Sequence, residues 1–278
     1  MKYTTQEKAL NKSQIDLVHL LLDSVADKQR NDFGNIISDL KSDGTLITEC
    51  DRWSDSKLVE GLSKITQNAG VLSEEGSKIV PNSKDFWIVD PLDGTTNFAS
   101  GIPYWAISAA YFVEGKPQAA FLDIPALKKR IFAIKGKGVW LNQRLLKIEE
   151  KSMHKSQCIS LCSRSIRILQ KRPDKPFPGK IRLLGVASLN MTSVAIGQTK
   201  AALEATPKIW DLAAAWLVLS ELACPIKWLT LDPSHIKAGE DLSSVDFPVL
   251  VATSQEELNK LLPWAKELTD NSNYFNNQ

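Results

Sequence analysis

Phe86-Trp-Ile-Val-Asp90-Pro-Leu-Asp93-Gly-Thr-Thr-Asn-Phe98 is the stretch whose reading decides the fold. Phe86–Val89 is a short apolar run, the pattern of a buried strand. The run is expected to stop at Asp90, because Pro91 cannot continue a ladder easily. Asp93-Gly94 then reads as a tight turn. Asp90 and Asp93 therefore leave one strand end together, three residues apart, with a glycine and two threonines behind them. Two carboxylates that close repel each other unless a cation lies between them. Oxygen-only donors favour a hard cation such as Mg²⁺. The backbone N–H groups of Gly94 and Thr95 would then face an anion held on that metal.

Outward from this stretch, the chain reads as strands and helices in blocks. Residues 13–28 form a helical pattern, with Ile15, Val18, Leu22 and Val25 on one face and Ser13 with Asp16 as the cap. Residues 51–67 form a second, with Asp51 near its start. Short apolar runs at 70–73, 86–89, 105–113, 118–124 and 130–134 read as strands. Phe112 to Phe121, across Glu114-Gly-Lys-Pro117, reads as a hairpin. Further on, 157–161, 181–184, 200–205, 225–229 and 248–252 read as strands. Segments 188–196, 212–224 and 256–268 read as helices, and 271–278 as a loose polar tail. By itself this pattern says only α/β or α+β.

Composition narrows the function classes. With 278 residues, the chain is long enough for one large domain or two packed halves. An apolar share of 43% and a charged share of 24% are ordinary for a soluble globular protein. A net charge of +2 gives no global field toward nucleic acid or membrane. The first residues carry no apolar signal segment, and Leu212–Ile226 is interrupted by Ser220 and Glu221 and too short to span a bilayer. A cytoplasmic protein is expected. Cys50, Cys158, Cys162 and Cys224 make no Cys-x-x-Cys pair and read as reduced, mostly buried thiols rather than a zinc site. His19, His154 and His235 lack ligand spacing. The 164–182 segment carries Arg164, Arg167, Lys171, Arg172, Lys175, Lys180 and Arg182 against Asp174 alone. It reads either as a solvated loop or as a surface for an anionic substrate or an RNA.

Asp90-Pro-Leu-Asp-Gly-Thr-Thr-Asn-Phe98 closely resembles the first signature of the inositol monophosphatase family. Thr48-Glu-Cys-Asp51, Ser73-Glu-Glu75 and Ile209-Trp-Asp-Leu-Ala-Ala214 follow the family's order, and the resemblance covers nearly the whole chain. It implies a layered αβαβα sandwich of the inositol monophosphatase and fructose-1,6-bisphosphatase type. Residues 1–152 would form an N-terminal half with most metal ligands, and 153–278 a half supplying Asp211 and substrate contacts, the two forming one cooperative unit.

The resemblance also implies roles. Glu74, Asp90, Asp93, the carbonyl of Leu92 and Asp211 match the ligands of two or three Mg²⁺ ions, and Lys41 matches a lysine near the site. The Thr95 hydroxyl would orient the attacking water, Asp51 would hold that hydroxyl, and Glu74 would touch the water through its metal. No Ser, Cys or His stands as a nucleophile, so direct attack by activated water is implied. Asp93, Gly94, Thr95 and Asp211 would face the phosphate, and Gly185, Ala187 and Glu204 the alcohol. Lithium inhibition and a homodimer are implied as well.

Two departures and one agreement bear on substrate. Ser73 replaces the usual glycine, a form that looks like 3′-phosphoadenosine 5′-phosphate phosphatases, whereas Thr96-Asn97 looks like the inositol branch. Ala215 stands where glycine is frequent. The expectation is an Mg²⁺-dependent phosphate monoester hydrolase acting on a small polyol, with inositol monophosphate first. The rivals are a 3′(2′),5′-bisphosphate nucleotidase, a sugar bisphosphatase or histidinol-phosphatase, and, in another class, an RNA- or transcription-associated protein. Nucleic acid and membrane are not expected partners.

Overall fold

The computed structural model describes residues 9–35, 38–41, 44, 46–149 and 156–269. The first half runs α1 (Lys12–Asp32), β1 (Ser38–Leu40), β2 (Leu46–Thr48), α2 (Glu49–Ile65), β3 (Gly70–Ser73), β4 (Asp85–Asp93), α3 (Thr95–Ala99), β5 (Ala106–Val113), β6 (Lys116–Ile124), β7 (Lys129–Ile134), β8 (Gly138–Leu141) and β9 (Arg144–Leu145). The second runs β10 (Cys158–Leu161), α4 (Arg167–Lys171), β11 (Lys180–Arg182), α5 (Ala187–Ala195), β12 (Ala201–Glu204), α6 (Ile209–Glu221), β13 (Ile226–Trp228), β14 (Val249–Ala252) and α7 (Gln255–Thr269).

Strands β3 to β9 form a seven-stranded sheet in chain order, parallel only between β3 and β4. The other large sheet has the order β11-β10-β12-β14-β13. Successive side chains of a strand point to opposite faces, so a strand buried on both faces is apolar throughout. β4 does this: Trp87 and Val89 meet Val18, Leu22, Leu58 and Leu62 of α1 and α2, while Phe86 and Ile88 join the cluster of α5 and α6. β14 repeats the device. Val249 and Val251 face α5 and α6, and Leu250 and Ala252 face Leu258, Leu261 and Trp264 of α7. The layers are therefore helices, sheet, helices, sheet, helix, which is the αβαβα sandwich. α6 is apolar on nearly every side because it lies between two sheets. No helix among the described residues is long and apolar enough to cross a membrane.

Several local expectations change. β4 does not stop at Asp90 but runs to Asp93, with a register shift between Asp90 and Asp93 opposite Ser108 and Ala106. Pro91 is tolerated there because a bulge removes the need for its missing N–H. Gly94 is the left-handed residue (φ 102°) at the turn between β4 and α3, and it caps the start of that helix. The cap of α1 is Asn11 with Gln14 rather than Ser13 with Asp16. Of the four thiols only Cys50 and Cys224 are buried; Cys158 and Cys162 are half-buried. The boundary near 152 and the tail from 271 lie outside the described residues.

Candidate active site

Thr48 is the N-cap of α2, and Asp51 closes a capping box by accepting the Thr48 N–H at 2.8 Å. The side chain of Thr48 also donates to Asp51 Oδ2. This leaves Asp51 Oδ1 for the hydroxyl of Thr95, which donates to it at 2.8 Å. The same hydroxyl lies 3.1 Å from the carbonyl of Leu92. Asp51 therefore caps α2 with one oxygen and holds the Thr95 hydroxyl with the other.

Behind the bulge, the fully buried Gln29 of α1 donates to the Pro91 carbonyl at 2.8 Å and to Ser54 Oγ at 3.1 Å. Its own oxygen accepts the Trp105 indole N–H at 2.9 Å. Gln29 thus ties α1, α2 and the chain before β5 to the carbonyl next to Asp90. Nothing in the sequence pattern singled it out; its position on the buried face of a helix reads as an ordinary polar interruption.

Glu74 follows β3, with its N–H on the Val89 carbonyl at 3.1 Å. Asp211 lies in the first turn of α6 and accepts the Lys208 N–H at 2.8 Å. Glu74, Asp90 and Asp211 each offer a carboxylate oxygen, and these oxygens lie within 4.8 Å of one another. Burial, and then the neighbouring carboxylates, raise Asp90 and Asp211 well above the usual carboxylate range. Three hard oxygen donors, the buried Asp90 with the half-buried Glu74 and Asp211, fit a divalent cation such as Mg²⁺. Lys41 reaches the same cluster, 2.9 Å from Glu74 and also bonded to Glu75. Burial disfavours its charge, but these two carboxylates outweigh that and raise its pKa.

Asp93 behaves differently from the other three. Its carboxylate accepts the N–H of Ser188 at 2.7 Å and of Ala187 at 3.3 Å, at the start of α5. It therefore spans the two halves of the molecule. Burial raises its pKa to about 6 against the pull of the Ser188 bonds. Asn97 makes a second tie by donating to the carbonyls of Leu184 and Tyr104 at 2.8 and 2.9 Å. Gly185 (φ 73°) turns the chain beside it.

A cavity of about 200 Å³ is lined by Glu74, Asp90, Leu92, Asp93, Gly94, Thr95 and Asp211. It shares Asp93, Gly185 and Asp211 with a neighbouring cavity of about 390 Å³, where Ala187, Asn190, Glu204 and Arg164 appear. Every sequence-predicted site residue lines one of the two except Asp51, which stands behind Thr95, and Lys41, which lies on Glu74 and Glu75. Glu204 is 3% exposed, accepts from Asn190 Nδ2 at 2.8 Å, and is pushed up to about 8 chiefly by burial. A cavity of about 640 Å³ under α1 is lined by Arg130, Asp23 and Asp123, whose charges pair with each other.

The sequence profile described as "Inositol monophosphatase family" matches residues 6–257. The chain belongs to the inositol monophosphatase family. It is accordingly an enzyme, a phosphatase. Inositol-1-monophosphatase of Rhizobium meliloti is 32% identical over 201 residues, 68% of this chain and 76% of that one. Nus factor SuhB of Pseudomonas aeruginosa is 30% identical over 232 residues, 76% and 83% of the two chains. A crystal structure of an IMPase/NADP phosphatase complexed with Mg²⁺ and phosphate superposes with a TM-score of 0.73 at 25% identity, covering 90% of this chain and 95% of that one. The inositol monophosphatase fold is thus shared over the described core.

Two departures from the family pattern have a local reason. The Ser73 hydroxyl donates to Asp55 on α2, a bond that glycine cannot make. Ala215 is fully buried in α6 among apolar neighbours.

Proposed function

We propose that the protein hydrolyses a phosphate monoester of a small polyol with Mg²⁺, and that inositol monophosphate is the reference substrate. The observation that carries this reading is the convergence of Glu74, Asp90 and Asp211 next to the Asp51–Thr95 pair. Glu74, Asp90, Asp211 and the Leu92 carbonyl would hold the cations, two or three of them, with Asp93 contributing beside its bonds to α5. Bound Mg²⁺ would polarise the phosphoryl group, steady the leaving oxygen and make water more acidic. Thr95 commits its only proton to Asp51, so its lone pairs can accept from a water and aim that water at phosphorus. Gly94 and Thr95 would present N–H groups to the phosphate. Gly185, Ala187 and Glu204, beyond the phosphate, would meet the hydroxyls of the alcohol.

The test is release of phosphate from inositol monophosphate with Mg²⁺, with excess chelator, and with Mg²⁺ restored. Turnover should vanish in chelator and return with Mg²⁺ better than with Ca²⁺, whose larger and looser shell suits in-line displacement poorly. Li⁺ should inhibit. Undiminished turnover in chelator would remove the metal reading.

The relatives named Nus factor SuhB favour a second reading, a transcription-linked role beside the phosphatase activity. The basic segment supports it weakly, because Lys171 and Arg172 turn to the Glu267 and Pro263 carbonyls of α7 instead of outward. RNA binding at physiological salt would favour it.

A further inference from the structure

The cavity of about 640 Å³ under α1 has no task in the hydrolysis of an ester. Its volume is that of a small-molecule site, about 300–1,000 Å³. α1 forms one wall with His19, Asp23 and Arg30. The other wall comes from Asp123 near the end of β6 and from Lys128, Lys129 and Arg130 at the start of β7. Arg30 Nη1 lies 3.4 Å from the Pro125 carbonyl, in the 3₁₀ turn that joins β6 to β7, so one residue of the helix spans the two walls.

Much of the charge around this cavity is paired within the protein. Arg130 Nη2 bonds Asp23 at 2.9 Å and also Asp123. Its Nη1 donates to His19 Nδ1 at 3.1 Å, and since a guanidinium has no acceptor, the imidazole accepts there and adds no charge. Arg30 pairs with Asp27. Two cations remain. Lys128 and Lys129 are exposed, and among the described residues no carboxylate pairs with either. Against them stands Asp16, an exposed carboxylate near the start of α1. Arg130 Nε is buried and has no hydrogen-bond acceptor. The unfilled capacity is therefore mainly that of donors, two ammonium groups and one guanidinium N–H. A buried donor without an acceptor costs stability, so this one marks a contact left for a ligand. Lysine ammonium groups bind phosphate as point charges, and one phosphate group has oxygens enough to meet several donors at once.

This wall is connected to the active site through α1. Gln29, the residue before Arg30, holds the Pro91 carbonyl and Ser54 Oγ. The two residues are consecutive on one helix, so holding that helix at the cavity limits its motion at the bulge. We propose that the cavity under α1 is a second site, separate from the active site, that binds a small phosphate-bearing anion through Lys128, Lys129 and Arg130, and that the bound anion braces α1 and with it the bulge of β4. Free phosphate and a phosphate ester offer the same chemistry, and the test separates them.

The full chain is titrated calorimetrically, in excess chelator and at low salt, with inorganic phosphate and separately with ribose 5-phosphate. Without cations the carboxylates around Asp90 repel both anions, so binding reports on other surfaces and is independent of turnover. At least one of the two should bind. Binding of inorganic phosphate shows that the free anion suffices, and binding of the ester alone shows that the organic part is needed as well. Lys128→Gln combined with Lys129→Gln should weaken binding about ten- to a hundredfold, the value of a hydrogen bond to a charged group. The corresponding pair of arginine substitutions should keep most of the affinity, because the charges remain. Arg164→Gln, at the cavity beside Asp211, should leave binding unchanged. Added salt should weaken it. Hydrogen exchange read by mass spectrometry should slow over Lys12–Asp32 and over residues 86–98 when the anion is added to the intact chain, and not in the double glutamine variant. Circular dichroism and melting check that each variant is folded. No binding of either anion overturns the proposal, as does binding that survives the double glutamine variant or disappears with Arg164→Gln. Binding that leaves exchange over 86–98 unchanged overturns the link to the bulge.

Discussion

Thr95 has one hydroxyl proton, and Asp51 is placed to receive it. Removing that hydroxyl should cost orientation of the water rather than affinity for phosphate. Thr95→Ala is expected to lower kcat about ten- to a hundredfold while KM moves by less than about threefold, with Thr95→Ser restoring most of the rate. Steady-state kinetics with Mg²⁺ check this, and a change in KM alone would contradict the role. Glu204 allows a test that needs no substrate. Its folded pKa of about 8 lies above the ordinary glutamate value. The native state therefore holds the proton more tightly than the unfolded chain. That contribution is complete below the unfolded pKa of about 4.3 and is lost as pH rises through about 8. The wild-type melting temperature should therefore fall relative to Glu204→Gln across that window. Paired melts in chelator at intervals of pH measure the difference, and parallel curves would show that Glu204 is not held protonated. At this scale the convergence of Glu74, Asp90 and Asp211 was legible because the spacing of their motifs stands out in the sequence. The burial of Glu204 was not, because its partner Asn190 comes from the helix α5, and a glutamate at a strand end carries no mark of its cover.

Elements with a strong period were legible, and those made by a single backbone event were not. The helices Lys12–Asp32, Glu49–Ile65 and Ile209–Glu221 and the long strands each contain several repeats of their pattern. β1, β2 and β9 are two or three residues long, too short to show any period, and α3 is a five-residue helix begun by one left-handed glycine. That glycine supports a prediction. An added Cβ at Gly94 would lie 2.8 Å from Val186 Cγ2, on a backbone with φ of 102°. Gly94→Ala should destabilise the protein by about 1–3 kcal/mol and lower turnover as well, since the strain falls between Asp93 and Thr95. Thermal melting and phosphate release measured on one preparation check it. An alanine variant that is as stable and as active as the parent would show that β4 and α5 can move apart freely.

For the whole molecule, the decisive feature is that the two halves share one apolar interior. Phe112, Ala120 and Leu122 of the first sheet, Leu212, Ala215 and Leu217 of α6, and Val249 and Val251 of the second sheet belong to one cluster. Neither half can keep its inner face dry without the other. Unfolding by denaturant is expected to be a single transition seen alike by tryptophan fluorescence and far-ultraviolet circular dichroism, and 1–152 expressed alone should not show that cooperative transition. Two separated transitions would contradict this. The apolar character of α6 was readable from Leu212 to Ile226, but its neighbours were not. A helix that is hydrophobic all round states only that it is covered, and which sheets cover it depends on chain path over long distances.

The Gln29 amide has a consequence for how far the enzyme extends along its chain. The glutamine stands more than fifty residues before Asp90, yet it holds the carbonyl beside that carboxylate and the indole of Trp105. A chain trimmed to begin just after residue 29 would still spell out every carboxylate of the cluster and every signature word. It would nonetheless have pulled the keystone from under the bulge that presents them, so the alphabet of the active site would survive while its grammar was lost.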